Sequence, residues 1–264
     1  MSRGRRLAAS AAFFAILISW SLLLCPLGWL IWLARAVSGG RVPRSLARKA
    51  SWLYGRSALR MVSPIVRVRC ANPDEGLKRQ PCLFVCNHQS VLDLYLLSVQ
   101  SVPQICPVTK SWPFRRLVLF TACMRAAGYV EAEGRSVEEI RQACLDRVAE
   151  GASLMFYPEG SRSRTGELGR FHTGAFRLAL DLNLPLVPMV VKNSGRLLPP
   201  DSLLLTPGTL ELELLPAVMP EEYERFRREL VPHRALMRHV RSLYEEKLRP
   251  FAPRPQAAGR AADK

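Results

Sequence analysis

The run Cys82-Leu83-Phe84-Val85-Cys86-Asn87-His88-Gln89-Ser90-Val91-Leu92-Asp93 decides how this chain is read. Its first half is short, apolar, rich in strand formers and bounded by Pro81, which predicts a buried strand. Ser90 with Asp93 three residues on, ahead of Leu94 to Leu97, has the form of a capping box and predicts a helix start. His88 therefore falls at a strand-to-helix turn. In an α/β sheet that is the carboxyl end of a strand, where ligands bind.

Four residues separate His88 from Asp93. A tight turn brings the carboxylate back under the imidazole, where it fixes the tautomer and stabilises the imidazolium. This is a base with no obvious nucleophile of its own, suited to activating a hydroxyl supplied by the substrate. The competing reading makes Asp93 a helix cap and His88 a residue of a buried turn. A thiol route, with Cys86 as nucleophile and His88 as its base, is a further alternative.

Outward from this stretch, charge is unevenly placed along the 264 residues. The formal net charge is +16, yet no acidic residue precedes Asp74, while twelve Arg and Lys lie between Arg3 and Arg69. The remainder carries 26 basic against 22 acidic residues. The basic excess thus sits beside a long apolar segment, which points to an anionic membrane surface and away from nucleic acid. Seven scattered cysteines include no C-x-x-C pair, so neither a metal site nor a disulfide framework is indicated.

Leu7 to Ala34 is a 28-residue stretch free of charge, long enough to cross a bilayer, although Pro26 and Gly28 leave a half-inserted hairpin open. Its length exceeds a signal-peptide core. Basic residues are denser after it than before it, placing the following side in the cytoplasm. Ser45 to Val62 then reads as a basic amphipathic helix lying in the membrane interface. Leu46, Ala50, Leu53, Tyr54, Ser57, Ala58 and Met61 share one face, and Arg44, Arg48, Arg56 and Arg60 another. Packing of that apolar face on the domain is the alternative.

The rest alternates strand and helix, with strands at Ile105 to Val108, Leu154 to Tyr157, Leu186 to Val191 and Leu210 to Leu214. Helices are expected over Phe114 to Ala127, from Ser136 to Gly151, over Phe171 to Leu182, and within Glu221 to Leu248, interrupted at Pro232. The fold class is α/β, a mostly parallel sheet covered by helices with an N-terminal membrane-anchoring helical segment. The expected divisions are 1–40 anchor, 41–64 interfacial helix, 65–248 globular domain and 249–264 disordered tail. A second loop, Tyr157-Pro158-Glu159-Gly160-Ser161-Arg162-Ser163-Arg164, also leaves a strand at its carboxyl end. A carboxylate followed by two guanidinium groups there suits hydroxyl and phosphate binding.

The two blocks, about seventy residues apart, resemble the lysophosphatidate acyltransferase family of membrane glycerolipid acyltransferases, with its Asn-His-x-x-x-x-Asp and Phe-Pro-Glu-Gly-Thr-Arg-Ser blocks. Phe171 with Gly174-Ala175-Phe176, and Leu186 to Val191, resemble two further blocks. The resemblance spans about residues 80 to 195. It implies transfer of an acyl group from an acyl-coenzyme A or acyl carrier protein to a lysophospholipid hydroxyl, with no other cofactor. His88 would be the general base and Asp93 its orienting partner. Glu159, Gly160 and Ser161 would form the acceptor site, with Arg162 on its phosphate. It also implies a bacterial-type inner membrane, with the catalytic domain on the cytoplasmic face. One departure stands out. Where the family has Asp-Arg in a block between the sites, this chain has Glu133-Gly134, and Arg135 comes one place late. Either that loop adjusts so that Arg135 reaches the phosphate, or the acceptor is not a simple glycerol phosphate.

Overall fold

The structure, a computed structural model, describes residues 2–249. The elements in chain order are α1 (Arg3–Val37), α2 (Arg44–Met61), β1 (Val66–Ala71), β2 (Leu83–Cys86), a 3-10 helix (Val91–Ser98), β3 (Ile105–Thr109), α3 (Trp112–Arg116), α4 (Val118–Ala127), β4 (Val130–Glu131), α5 (Val137–Ala149) and β5 (Ser153–Phe156). There follow α6 (Gly174–Asp181), β6 (Leu186–Lys192), α7 (Ser194–Leu197), β7 (Gly208–Leu214), α8 (Tyr223–Arg227) and α9 (Pro232–Leu248). Of the tail expected to be disordered, 249–264, all but Arg249 lies outside the described residues.

The sheet has the order β1-β7-β6-β2-β5-β3-β4. Every pairing is parallel except β6 with β7. The mostly parallel α/β architecture is thus as expected, with β2 at its centre between β5 and β6. All four β2 residues are buried because both faces of the sheet are covered. Leu83 and Val85 pack among residues of α6, α8 and α9. Phe84 and Cys86 face the opposite layer with Leu92, Leu96 and, from the N-terminal helices, Phe13 and Ala58. The edge strand β1, with its apolar-basic alternation Val66-Arg67-Val68-Arg69, was not anticipated from the sequence.

Four expectations are refined. The element after His88 does begin with a capping box at Ser90 and Asp93, but it winds as a 3-10 helix. Phe114 to Ala127 is split at Leu117 into α3 and α4. The apolar N-terminal segment is one 35-residue helix, unbroken at Pro26 and Gly28, so no hairpin forms. It is the one helix among the described residues long and apolar enough to cross a membrane. A stripe at Ser10, Phe13, Leu17, Ser21, Cys25, Gly28 and Ile31 is buried against the rest of the chain. Cross-links support it: Leu205 N–H donates to Ser10 Oγ at 2.8 Å, and Trp20 Nε1–H to Ser57 Oγ at 2.8 Å. Gly28 admits the Cys123 side chain where any Cβ would collide with Sγ at 1.8 Å.

The fourth refinement is in α2. Its buried residues are Ala47, Arg48, Gly55 and Ala58, while Leu46, Leu53 and Met61 are exposed. Small side chains let the helix lie close on α4 and the 3-10 helix; a Cβ at Gly55 would meet Ser98 Oγ at 2.6 Å. Arg48, expected on a solvated face, is instead fully buried. Its Nε donates to Ala127 O at 2.9 Å and its Nη2 to Glu150 Oε2 at 2.5 Å. Burial of that guanidinium is sustained by these charge-assisted partners.

Candidate active site

The carboxyl end of β2 is pinned before the site begins. Asn87, fully buried, donates from Nδ2 to Val191 O at 2.9 Å and accepts Val191 N–H on Oδ1 at 2.7 Å. Its amide thereby continues the β2–β6 ladder one residue past the strand and sends His88 out of the sheet. Ser90 Oγ donates to Leu198 O at 2.7 Å, tying the other end of the turn to the C-terminal end of α7.

Within this turn Asp93 is fully buried. Its Oδ2 accepts the main-chain N–H groups of Gln89 at 2.7 Å and Ser90 at 2.8 Å, and lies 2.9 Å from His88 Nδ1. The two readings of Asp93, cap and orienting partner, therefore coexist in one oxygen. A carboxylate at this place makes Nδ1 the protonated nitrogen and leaves Nε2 free to accept. The His88 side chain is 14% exposed and borders a cavity of about 1640 Å³.

Tyr157, at the end of β5, stacks on the His88 ring with centroids 4.2 Å apart and planes 25° from parallel. Its hydroxyl donates to Asp93 O at 3.0 Å. Burial pushes the Tyr157 phenol well up, followed in effect by Cys86 and Asp93, so it stays a neutral donor. One side chain thus holds both members of the pair, from the ring face and from the main chain.

The second loop closes over the same turn. Glu159 accepts His88 N–H on Oε1 at 2.8 Å and Gly169 N–H on Oε2 at 2.7 Å. Burial raises the Glu159 carboxyl above its usual range, against the pull of these two amides. Each of its oxygens accepts one main-chain N–H, so it locks the loop to His88, and Glu159 is not among the residues that border the cavity. Ser163 N–H donates to His88 O at 2.7 Å, a third strap. Gly160 has φ of +68°, which favours glycine, and a Cβ there would come within 3.2 Å of the His172 ring. Ser161 and Arg162 border the cavity, and Arg162 Nη1 donates to Pro200 O at 3.2 Å.

Two of the sequence-based readings do not join the site. Arg135 is exposed in the turn before α5 and is not among the residues that border the cavity. The neighbouring Glu133 folds back to accept Ser111 N–H at 3.0 Å. The thiol route through Cys86 fails as well: the side chain is buried and its Sγ donates to Asn87 O at 3.3 Å. Burial, with Asp93 and Glu159 behind it, pushes that thiol well up and keeps it protonated. A cation missed in the sequence is Lys110, which follows β3 and borders the cavity. Its only sequence signal is its place just past a predicted strand's carboxyl end, which it shares with His88 and Glu159. From the His88 side the cavity runs between apolar residues of α1, α2 and α4, including Leu24, Leu27, Leu53 and Phe120. A polar mouth with a base, and a long apolar extension, suit a ligand with a polar head and a hydrocarbon chain.

Residues 67–192 match the family model described as Acyltransferase. A chloroplastic 1-acyl-sn-glycerol-3-phosphate acyltransferase of Brassica napus is 34% identical over 123 residues, covering 46% of this chain and 36% of that protein. The 1-acyl-sn-glycerol-3-phosphate acyltransferase of Saccharomyces cerevisiae is 29% identical over 158 residues, covering 56% and 50%. The chain thus spans about a third to a half of the length of these relatives. A crystal structure of a 1-acyl-sn-glycerophosphate (LPA) acyltransferase from Thermotoga maritima has the same fold. Its TM-score is 0.70 at 20% identity, over 93% of this chain and 98% of that one. The matched residues 67–192 hold β2, β5, β6 and both site blocks, so the likeness to the Acyltransferase family model lies over the stretch that builds the site.

Proposed function

We propose that this protein transfers a fatty acyl group from an acyl thioester, carried by coenzyme A or acyl carrier protein, to the free hydroxyl of lysophosphatidate, giving phosphatidate. The observation that carries this reading is the His88–Asp93 pair: a base oriented at Nδ1 that borders the cavity, with Cys86, the nearby thiol, buried and held protonated. Nε2 takes the proton of the acceptor hydroxyl as its oxygen adds to the thioester carbonyl. Asp93 stabilises the imidazolium, which then gives its proton to the departing thiolate. Arg162 and Lys110, which border the cavity, suit the acceptor phosphate. The apolar extension suits the acyl chains.

The N-terminal apolar helix, with its exposed stripe of Leu22, Leu23, Leu30 and Leu33, would hold the mouth at a bilayer surface. The membrane we assign is a bacterial-type inner membrane, and the bias of basic residues towards the C-terminal side of the helix favours the cytoplasmic face for the domain. A second acceptor, another lysophospholipid or hydroxylated lipid, is favoured by one specific observation: Gly134 stands where the family has Arg, and Arg135 lies away from the cavity.

The deciding experiment measures thiol release from acyl-coenzyme A by membranes carrying the protein, with and without lysophosphatidate, beside His88→Ala. Release that requires both the lipid and His88, with phosphatidate as product, supports the reading. Release equal to the variant's overturns this donor and acceptor pair and turns the test to acyl carrier protein donors and other lyso-lipids.

A further inference from the structure

At the edge of the sheet opposite His88, where strands begin, four guanidinium groups gather around one carboxylate. Glu150, just ahead of β5, accepts from Arg44 Nη1 at 2.7 Å and Arg48 Nη2 at 2.5 Å, and pairs with Arg147 Nη2 at 3.3 Å. Arg35, in the last turn of α1, donates to the carbonyls of Gly40 and Val42 in the turn that joins α1 to α2. Ser45 O accepts from Gln104 Nε2 at 3.1 Å, and Gln104 O from Ser153 N–H at 2.8 Å, which fixes the cluster beside the amino ends of β3 and β5. The length of β2, about 13 Å, separates this edge from His88.

The charges do not balance. Three arginines contact one acid, with Arg35 beside them, and the crowding is close. The position a Cβ would take on Gly128 is 2.5 Å from Arg147 Nη1 and 2.8 Å from Arg44 Nε, so both guanidinium groups converge over one bare glycine. Three of the nitrogens, Arg48 Nη1, Arg44 Nε and Arg147 Nε, are buried without a hydrogen-bond partner among the described residues. The Arg48 side chain is wholly shielded from solvent. Burial, then the charge of Arg44, lowers the Arg147 pKa. Guanidinium groups that share one carboxylate and each keep one buried nitrogen without a partner carry an excess of like charge that an anion would offset. Arginine forks match the tetrahedral oxygens of a phosphate group.

We propose that Arg44, Arg48 and Arg147, with Arg35 at the rim, form a binding site for a phosphate group, away from the His88 end of the cavity that Arg48 also borders. The surroundings favour a phospholipid headgroup as its source. The cluster lies where α1 ends and α2 begins, flanked by the exposed apolar side chains of Leu33, Val37 and Leu46, so a phosphate here has hydrocarbon-compatible surface beside it. Glu150 keeps the three forks oriented when the site is empty.

The test uses the full chain in neutral detergent and follows its thermal midpoint, a readout independent of acyl transfer. Inorganic phosphate is titrated against chloride at equal ionic strength, and short-chain phosphatidylglycerol against short-chain phosphatidylcholine. Saturable stabilisation on the order of 5 °C by phosphatidylglycerol alone is the expected result. Stabilisation by inorganic phosphate as well supports the same site with the free ion as its ligand. No stabilisation of the wild-type chain by either overturns the proposal, whatever the variants do. The variant arm compares Arg44→Gln with Arg147→Gln, as a double change, against Arg56→Gln with Arg60→Gln, which removes equal charge from exposed positions of α2. Loss of the shift in the first double only supports the site. Equal loss in both would mean diffuse charge attraction and overturn it.

Discussion

His88 Nδ1 and Asp93 Oδ2 are 2.9 Å apart, and that same Asp93 oxygen also accepts the N–H groups of Gln89 and Ser90. The pair is therefore built into the backbone of the turn, so the imidazole cannot be reoriented without unwinding the start of the 3-10 helix. His88→Ala should lower turnover by about a hundred- to ten-thousand-fold with the fold intact. Asp93→Asn should lower turnover as well and also lower the thermal midpoint, because the carboxylate oxygen serves the backbone. Steady-state kinetics beside thermal melts separate these outcomes; an active His88→Ala enzyme would refute the assignment.

Tyr157 offers a finer probe. Tyr157→Phe keeps the ring stacked on His88 and deletes only the hydroxyl bonded to Asp93 O. The expected cost is about 1 kcal/mol of stability with turnover reduced only a few-fold. Tyr157→Ala, which removes the stacked face too, should lower kcat much further. Equal kinetics for the two variants would show that the stacking does not position the base.

Asn87→Ala tests the hinge between sheet and site. It leaves the buried N–H and C=O of Val191 without their partner, at an expected cost of about 2–5 kcal/mol. Chemical denaturation of the purified protein measures this directly. A loss below 1 kcal/mol would mean that water replaces the amide.

The buried Glu159 predicts a pH dependence with a definite sign. Its folded carboxyl pKa is raised by burial, so the folded state binds a proton more tightly than the unfolded chain does. Its contribution is present in full below the unfolded value, about 4.3, and is lost as pH rises through the folded value. The stability of the wild-type protein relative to Glu159→Gln should therefore fall as pH rises from about 4 and level off above the folded pKa. A relative stability that rises over that interval would contradict the raised value.

Much of this was legible in the chain itself, because the deciding signals are local. The apolar run ending at Val85, the Ser90–Asp93 capping box and the glycine-rich loop after Phe156 each set their own backbone geometry within a few residues. The alternation of strand and helix then required a mostly parallel sheet. Spacing alone brought His88 and Asp93 together, since both lie in one turn. The length and composition of the N-terminal apolar helix were likewise written in the sequence.

Tertiary structure decided which side chains those elements bury and which oxygens remain free. Arg48 reads as one of a solvated row in α2, yet it is buried because Ala127 O and Glu150, 79 and 102 residues away, supply its partners. Glu159 reads as a ligand for hydroxyls, yet in the fold its oxygens accept the N–H groups of His88 and Gly169 and it does not border the cavity. Arg135 stays outside the cavity, while Lys110, which no motif marked, borders it. The physical reason is the same in each case. Helix and strand periodicity follow from local sterics, but the burial of a charge depends on partners that only the folded chain brings within hydrogen-bonding distance.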